Sequence, residues 1–258
     1  MFNQPEFRAL MISLLAGLST MIGSFAIFKN YKNKERALSI ALGFAAGVMI
    51  SVSLSELFVQ SMSLMSESQG EKLGVIFAVA FLIVGMFIAA GIDKFVPHDV
   101  YDDNNEVRPH KNLFKVGFVS MLAIGLHNFP EGIATFMAGY NDLSMGLTIA
   151  VAITCHNIPE GISVAMPIYH ATGSRKKAVY YTFLSGVAEP IGALIAFLVL
   201  KPFLSDLLLG ILFSLVSGIM IYIALEELIP SSRQYGYKKP ALYAALACIC
   251  LIPLTNLF

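Results

Sequence analysis

The chain has 258 residues, of which 57% are apolar and only 13% are Asp, Glu, Lys or Arg, whereas about a quarter of the residues are charged in soluble domains. This composition excludes an ordinary soluble domain and indicates a membrane protein, and the formal net charge of zero gives no field that would attract nucleic acid. The three cysteines, Cys155, Cys248 and Cys250, lie inside apolar segments, which predicts core residues and no disulfide framework.

Apolar stretches long enough to cross a hydrocarbon core of about 30 Å as helices recur along the whole chain. The first stretch has no small-residue cleavage signature, so we interpret it as a span and not as a removed signal peptide. Little sequence remains for a soluble domain, and residues 1–258 are expected to form a single transmembrane domain. The pattern predicts an all-α integral membrane protein with eight transmembrane helices, at about 8–28, 37–59, 73–96, 113–139, 144–168, 177–200, 203–229 and 240–257.

The basic residues segregate to alternate connections between these predicted helices. All but three of the 17 Lys and Arg residues fall in the first, third, fifth and seventh connections, and the exceptions are Arg8, Lys72 and Lys201. By the positive-inside rule the odd connections are cytoplasmic and both termini are extracellular. We therefore predict a multi-pass protein of the plasma membrane.

The longest polar connection, at about residues 97–112, lies on the predicted cytoplasmic side between the third and fourth helices. Its side chains could collect metal ions, but they show no regular ligand spacing, and a solvated linker explains them equally well. The metal-ligand residue types in it are His98, Asp99, Asp102, Asp103, Glu106 and His110.

The most informative feature is a six-residue motif that occurs twice, as HNFPEG at 127–132 in the fourth predicted helix and as HNIPEG at 156–161 in the fifth. In each copy the His and the Glu are four residues apart and share a helix face, with the Asn beside them at about 100° of rotation. An ion can therefore contact all three. The candidate ligands are His127, Asn128, Glu131, His156, Asn157 and Glu160.

Each motif also contains a proline, Pro130 or Pro159, which cannot donate to the carbonyl oxygen four residues earlier. The glycine that follows adds backbone freedom. The pattern predicts a locally opened helix with free backbone oxygens, a feature of binding sites within membranes.

The two copies are equally far from the polar turn at residues 140–142 that joins their helices. About 14 residues at about 1.5 Å each place both motifs roughly 21 Å from the turn, near the midplane of a bilayer about 40–45 Å thick. Two facing His-Asn-Glu sets supply ligands for one zinc-like ion or for a pair bridged by carboxylates. The alternative, that these side chains only hold helices together, is disfavoured because intramembrane ionisable groups are costly and usually functional.

Other polar side chains within the predicted helices are further candidates. Glu189, in the sequence AEP at the centre of the sixth helix, is predicted to be another ligand. Met49, at the centre of the second helix, could offer a thioether, although methionine on an apolar helix is more often a core residue. Glu56 near the outer end of that helix suits an ion entrance, and Glu226 and Glu227 suit an exit; each could equally be an interfacial side chain.

With these motifs the chain resembles the ZIP (Zrt/Irt-like) metal transporters, in particular their ZupT-type branch, along its whole length. The resemblance implies a single transporter domain with a 3+2+3 fold, in which the first and last three helices are inverted repeats around the central hairpin. Within the sequence, we recognise internal similarity only in the central pair. The resemblance also implies two adjacent metal positions built from both motifs and Glu189, with Glu131 and Glu160 as bridging ligands.

The resemblance implies uptake of Zn²⁺ into the cytoplasm, with Fe²⁺, Mn²⁺, Co²⁺ and Cd²⁺ as further substrates, and no prosthetic group. The partners are then divalent metal ions and the lipid bilayer, and the sequence leaves a homodimer open. No P-loop is present to couple transport to nucleotide hydrolysis.

Two alternatives are a scaffold protein and a membrane-embedded metalloenzyme. A zinc protease is expected to contain HExxH and a di-iron bundle Glu-x-x-His, whereas this chain has the order His-x-x-x-Glu. We therefore expect a transporter and not an enzyme.

Overall fold

The computed structural model describes residues 4–29, 31–95, 113–200 and 205–253. The predicted cytoplasmic connection at about 97–112 lies outside these residues. Within them the chain forms helices and no strand. The helices are α1 (Pro5–Phe28), α2 (Lys34–Gln69), α3 (Glu71–Phe95), α4 (Leu113–Asn141), α5 (Leu143–Thr172), α6 (Arg175–Ile195), α7 (Asp206–Arg233) and α8 (Lys238–Leu251).

The all-α membrane fold class is confirmed. Seven of the helices in the described segments are long and apolar enough to cross a membrane. The eighth, α8, has 14 residues, fewer than the about 20 that a span requires, and residues 254–257 of the predicted eighth span lie outside the described part of the chain. The number of spans therefore stays a prediction.

Caps and glycine turns determine where several helices begin and end. The side chains of Asn33, Ser174 and Ser205 each accept a hydrogen bond from the backbone N–H three residues later, which satisfies a donor at the start of α2, α6 and α7. Gly70 and Gly173 have φ angles of 85° and 66°, a conformation that favours glycine, and they follow the last residues of α2 and α5.

Helices α2 and α7 each contain a single wide π-turn, at Ser53–Leu57 and at Ala224–Leu228. The sequences leading into these turns match: residues 47–57 read GVMISVSLSEL and residues 218–228 read GIMIYIALEEL, with six of eleven positions identical. Internal similarity is therefore not confined to the central pair. The match aligns Met49 with Met220 and Glu56 with Glu227.

The helices pack as two groups of four. One group contains α1, α4, α5 and α6, and the other contains α2, α3, α7 and α8. Contacts between the groups run mainly through α2 with α5 and through α4 with α7. The doubled motif thus lies within the first group, and the repeated π-turns lie within the second.

Close backbone contacts in the first group occur in matched pairs. A Cβ atom on Gly161 of α5 would collide with the carbonyl oxygen of Thr20 in α1, and a Cβ atom on Gly132 of α4 would collide with the carbonyl oxygen of Glu189 in α6. The contact of α1 with α5 therefore repeats the contact of α6 with α4.

The second group shows the same matching. A Cβ atom on Gly47 of α2 would collide with the carbonyl oxygen of Ala245 in α8, and a Cβ atom on Gly218 of α7 would collide with that of Leu82 in α3. The matched contacts pair α1 with α6, α2 with α7 and α3 with α8 around the hairpin α4–α5. This is the pairing that a 3+2+3 arrangement requires.

Candidate metal site

The two copies of the motif lie opposite one another in the hairpin formed by α4 and α5. Helix α4 ends at Asn141 and α5 begins at Leu143, so Asp142 alone separates them. The structure brings the copies into contact, as their equal spacing from this turn predicts. The six candidate ligands of the motifs are all buried, with exposed fractions of 5% or less.

Two histidines and two glutamates form the centre of this contact. The Nε2 atom of His127 lies 3.1 Å from Oε1 of Glu131 in its own motif and 3.6 Å from Oε1 of Glu160 in the other motif. The Nε2 atom of His156 lies 3.0 Å from Oε1 of Glu131. The Glu131 carboxylate therefore lies between the two imidazoles, whose ring centroids are 5.9 Å apart.

These spacings suit metal coordination. Ligand atoms at about 2.1 Å from a tetrahedral zinc ion are about 3.4 Å from one another, which is close to the three N–O distances of the cluster. One ligand atom from each of His127, Glu131 and His156 lies within 4.8 Å of the others. The donor set of imidazole and carboxylate is one that zinc and several other divalent transition metals accept.

Several buried polar atoms of the cluster have no hydrogen-bond partner within the described residues. They include Nδ1 of His127, Oε2 of Glu131, both carboxylate oxygens of Glu160 and Oε1 of Glu189. Leaving a buried polar group without a partner is costly, and a charged group more so. A bound divalent cation would offset that cost for the carboxylates, so the residues present fit a metal ion.

The two asparagines tie the motifs to the flanking helices by equivalent hydrogen bonds. Asn128 donates from Nδ2 to the carbonyl oxygen of Ser185 in α6, over 3.0 Å, and Asn157 donates from Nδ2 to that of Ala16 in α1, over 3.1 Å. Asn157 Nδ2 also lies 3.1 Å from Oε2 of Glu189. This bond places the Glu189 carboxylate beside the second motif. The Oδ1 atoms of both asparagines are buried without a hydrogen-bond partner in the described structure.

The expected opening of the helices at the motif prolines does not occur. Helices α4 and α5 continue without interruption through Pro130 and Pro159. Neither Gly132 nor Gly161 has a positive φ angle, so the helical geometry itself does not require glycine at either position. Their small size matters instead: each lets a neighbouring helix approach at the level of the motif glutamate.

Two further candidates lie in α2. Glu56 is half-buried within its π-turn and lies close enough to His156, Glu131 and His127 to interact with them electrostatically. Met49 is fully buried in the large apolar cluster that also contains Ile124 and Met220. Its surroundings are those of a core residue, and a role as thioether ligand stays a prediction.

The sequence interpretation named Glu227 as a candidate for an ion exit but did not recognise it as the counterpart of Glu56 in α7. Glu227 aligns with Glu56 in the repeat, and its Oε1 lies 3.2 Å from Nζ of Lys115 at the beginning of α4. This ion pair joins the two groups of helices. The repeat GxMIxxxLxEL at 47–57 and 218–228 is the signal in the sequence that could have identified it.

Comparison with known proteins gives consistent matches. The family model described as "ZIP Zinc transporter" matches residues 101–252, which include both motifs and Glu189. The chain is 46% identical over 254 residues to a protein named zinc transporter ZupT from Lysinibacillus sphaericus, and the match covers 95% of this chain and 94% of that protein. It is 42% identical over 260 residues to zinc transporter ZupT from Streptococcus mutans, which covers 99% of this chain and 98% of the relative.

Proposed function

The chain belongs to the ZIP zinc transporter family, and from this premise we propose that it takes up divalent transition-metal ions into the cytoplasm through the cluster between α4 and α5. The observation that carries the proposal is the cluster formed by the two motifs. Three N–O distances between its histidines and glutamates, two of them between the motifs, lie between 3.0 and 3.6 Å. Zn²⁺ is the first expected substrate, and Fe²⁺, Mn²⁺, Co²⁺ and Cd²⁺ are further ones.

The chain is a multi-pass membrane protein that transports metal and is not an enzyme, because its family consists of transporters. A metalloenzyme is therefore no longer a competing function. We propose further that residues 1–258 form one transporter domain in the plasma membrane, with eight spans and both termini extracellular. The segregation of basic residues to the odd connections supports this orientation.

The proposed ligands are those of both motifs together with Glu189. Glu131 is the proposed bridging ligand, because its Oε1 is about equally close to both imidazoles. Glu160, whose two oxygens have no hydrogen-bond partner in the described structure, is proposed to bridge from the opposite side. Glu56 is proposed to lie on the path by which the ion enters.

The ion crosses, we propose, when one group of helices moves relative to the other. All the proposed ligands lie in the group α1, α4, α5 and α6, so the site can move as a unit while its ligands keep their spacing. Glu56 and Met49 belong to the other group and would therefore not move together with the proposed ligands. In a homodimer, α3 is a suitable contact, because the exposed apolar side chains of this span include Ile83 and Phe87.

Zinc uptake by the purified protein in sealed vesicles, followed with an internal fluorescent indicator, tests the proposal. Glu131→Gln and Glu160→Gln keep the side-chain shape but remove a charged metal ligand, and each should lower the initial rate of uptake at least about tenfold. Glu67→Gln is the matched control, because Glu67 is exposed at the end of α2, and it should leave the rate unchanged. Normal uptake by both motif variants would refute the proposed site.

A further inference from the structure

We infer that Thr20 of α1 supplies an additional oxygen ligand on the first-motif side of the metal site and thereby sets the preference of the site among divalent ions. The inference rests on the proposed site. It extends the ligand set to a helix in which the sequence analysis identified no candidate.

The first step is the register between α1 and α6. Gly17 and Gly186 face each other at the crossing of these helices, since a Cβ atom on Gly17 would lie 2.6 Å from the carbonyl oxygen of Gly186 and a Cβ atom on Gly186 would lie 2.5 Å from that of Gly17. One turn and a half further on, Gly23 contacts Ile158 of the second motif, and Gly192 makes the equivalent contact with Phe129 of the first.

The same register pairs Thr20 with Glu189. A Cβ atom on Gly186 would lie 3.1 Å from Cβ of Thr20, and a Cβ atom on Gly17 would lie 2.9 Å from Cβ of Glu189. The backbone carbonyls of Thr20 and Glu189 also make equivalent contacts, with Gly161 and Gly132 respectively. Thr20 therefore holds the position in α1 that Glu189 holds in α6.

By this equivalence the Cβ atom of Thr20 is directed toward the first motif, as Cβ of Glu189 is directed toward the second. Glu189 lies 3.1 Å from Asn157 of the second motif, and the equivalent neighbour of Thr20 is Asn128. Thr20 is fully buried, and neither its Oγ1 nor Oδ1 of Asn128 has a hydrogen-bond partner within the described residues. Asn128 directly follows His127, so two unpartnered oxygens on the first-motif side of the site are suitable ligands for a cation.

Other buried hydroxyl groups in the described segments also lack a hydrogen-bond partner, so that property alone does not select Thr20. These are the hydroxyls of Ser13, Ser39, Ser53, Ser120 and Thr135. In the matched registers their equivalents are Thr182, Gly210, Ala224, Ile149 and Val164. None of these equivalents is a proposed ligand, whereas the equivalent of Thr20 is Glu189.

The chemistry of a hydroxyl ligand determines which ions it favours. A threonine hydroxyl is a neutral oxygen donor, and oxygen donors suit Mn²⁺, which favours six oxygen ligands, whereas Zn²⁺ is satisfied by four ligands that include imidazole. Losing one oxygen ligand should therefore weaken Mn²⁺ binding more than Zn²⁺ binding. We expect the hydroxyl to allow the site to bind Mn²⁺, although the imidazoles of the site favour Zn²⁺.

The test is Thr20→Val, which keeps the shape of the side chain and its packing against Gly186 but removes the oxygen. The measurement is Zn²⁺ uptake into vesicles, alone and in the presence of increasing Mn²⁺. We expect the Mn²⁺ concentration that halves Zn²⁺ uptake to rise about fivefold or more, with a smaller loss in the uptake of Zn²⁺ alone. Thr20→Ser should retain the original response to Mn²⁺.

Thr182→Val is the matched control, because it also removes a buried hydroxyl, which donates to the carbonyl of Ala178 in α6, away from the site. It should not change the response to Mn²⁺. An unchanged response in Thr20→Val, an equal loss for both ions, or an original protein that ignores Mn²⁺ would overturn the inference. Glu131→Gln, measured in parallel, separates the two proposals: if it abolishes uptake while Thr20→Val changes nothing, only the inference fails.

Discussion

Gly132 and Gly161 each allow a carbonyl oxygen of a neighbouring helix to occupy the space where a side chain would begin. Each glycine directly follows the motif glutamate, so the close contact occurs at the level of the proposed ligands. The flanking helices α1 and α6 can then bring Thr20 and Glu189 to the motifs. Larger residues at these two positions would separate the helices and displace the ligands.

Gly161→Ala should therefore destabilise the protein. The added methyl group would collide with the backbone of Thr20, which a rotamer change cannot relieve, and such overpacking costs about 1–3 kcal/mol. We expect a lower midpoint of thermal unfolding in detergent, together with slower zinc uptake. Gly91→Ala is the control, because a Cβ atom there would have nothing within 4 Å, and alanine favours helix over glycine by about 1 kcal/mol. Equal midpoints for the two variants would contradict this account.

At this scale the sequence predicted which side chains meet, because a helix repeat of 3.6 residues and a central turn fix the facing residues. His127, Glu131, His156 and Glu160 were all identified in this way. The role of the glycines was not predictable, since it depends on a neighbouring helix that is distant in the sequence. Thr20 was missed for the same reason: it lies far from both motifs along the chain, and an isolated threonine in an apolar helix carries no motif.

Helices α2 and α7 differ from the helices that the sequence predicts, in the length of α2 and in the π-turns of both. Their apolar patterns predicted single spans, and the structure gives single helices, but α2 continues to Gln69, well past the predicted end near residue 59. The π-turns were not predictable, because their residues have no composition that differs from an ordinary helix. Both turns contain a glutamate, and wide turns of this kind are frequent at functional sites.

The π-turn of α2 is held by a hydrogen bond from α7. The hydroxyl of Ser217 donates to the carbonyl oxygen of Ser53, over 2.8 Å, at a buried position. Ser217→Ala should lower the free energy of unfolding by about 1 kcal/mol, because the carbonyl loses a donor from another helix.

Ser232→Ala provides the comparison, since the Ser232 hydroxyl donates to Ile229 within its own helical segment. Its loss should affect thermal unfolding in detergent less, because it ties no second helix. A larger effect of Ser232→Ala than of Ser217→Ala would show that the bond between α7 and α2 does not stabilise the π-turn.

The whole molecule consists of two packing groups of helices, and it has one proposed orientation in the membrane, which determines the direction of ion uptake. The groups follow from matched contacts that no stretch of sequence reveals by itself. The direction follows from charge alone, because basic residues near membrane spans are retained on the cytoplasmic side. The hydrophobic pattern predicted where the helices lie in the sequence. It did not predict how they group, because the grouping depends on which small residues face each other in the folded bundle.

Labelling of single cysteines in intact cells tests the direction. In a variant with alanine at Cys155, Cys248 and Cys250, Glu67→Cys should react with a maleimide that does not cross membranes, because Glu67 is exposed at the predicted outer end of α2. Lys176→Cys, exposed at the start of α6, should react only after the cells are made permeable. The reverse pattern would place both termini in the cytoplasm and reverse the proposed direction of uptake.

The join between α4 and α5 consists of Asp142 alone. The number of residues in this one hairpin therefore determines which residues of the two motifs lie opposite each other in the proposed site. Ligand identity can change by single substitutions without disturbing this alignment. An insertion or deletion between the motifs would instead shift one half by about 1.5 Å per residue and rotate it by about 100°. Variation in ion preference within such a hairpin should therefore arise by exchange of side chains and not by changes of length.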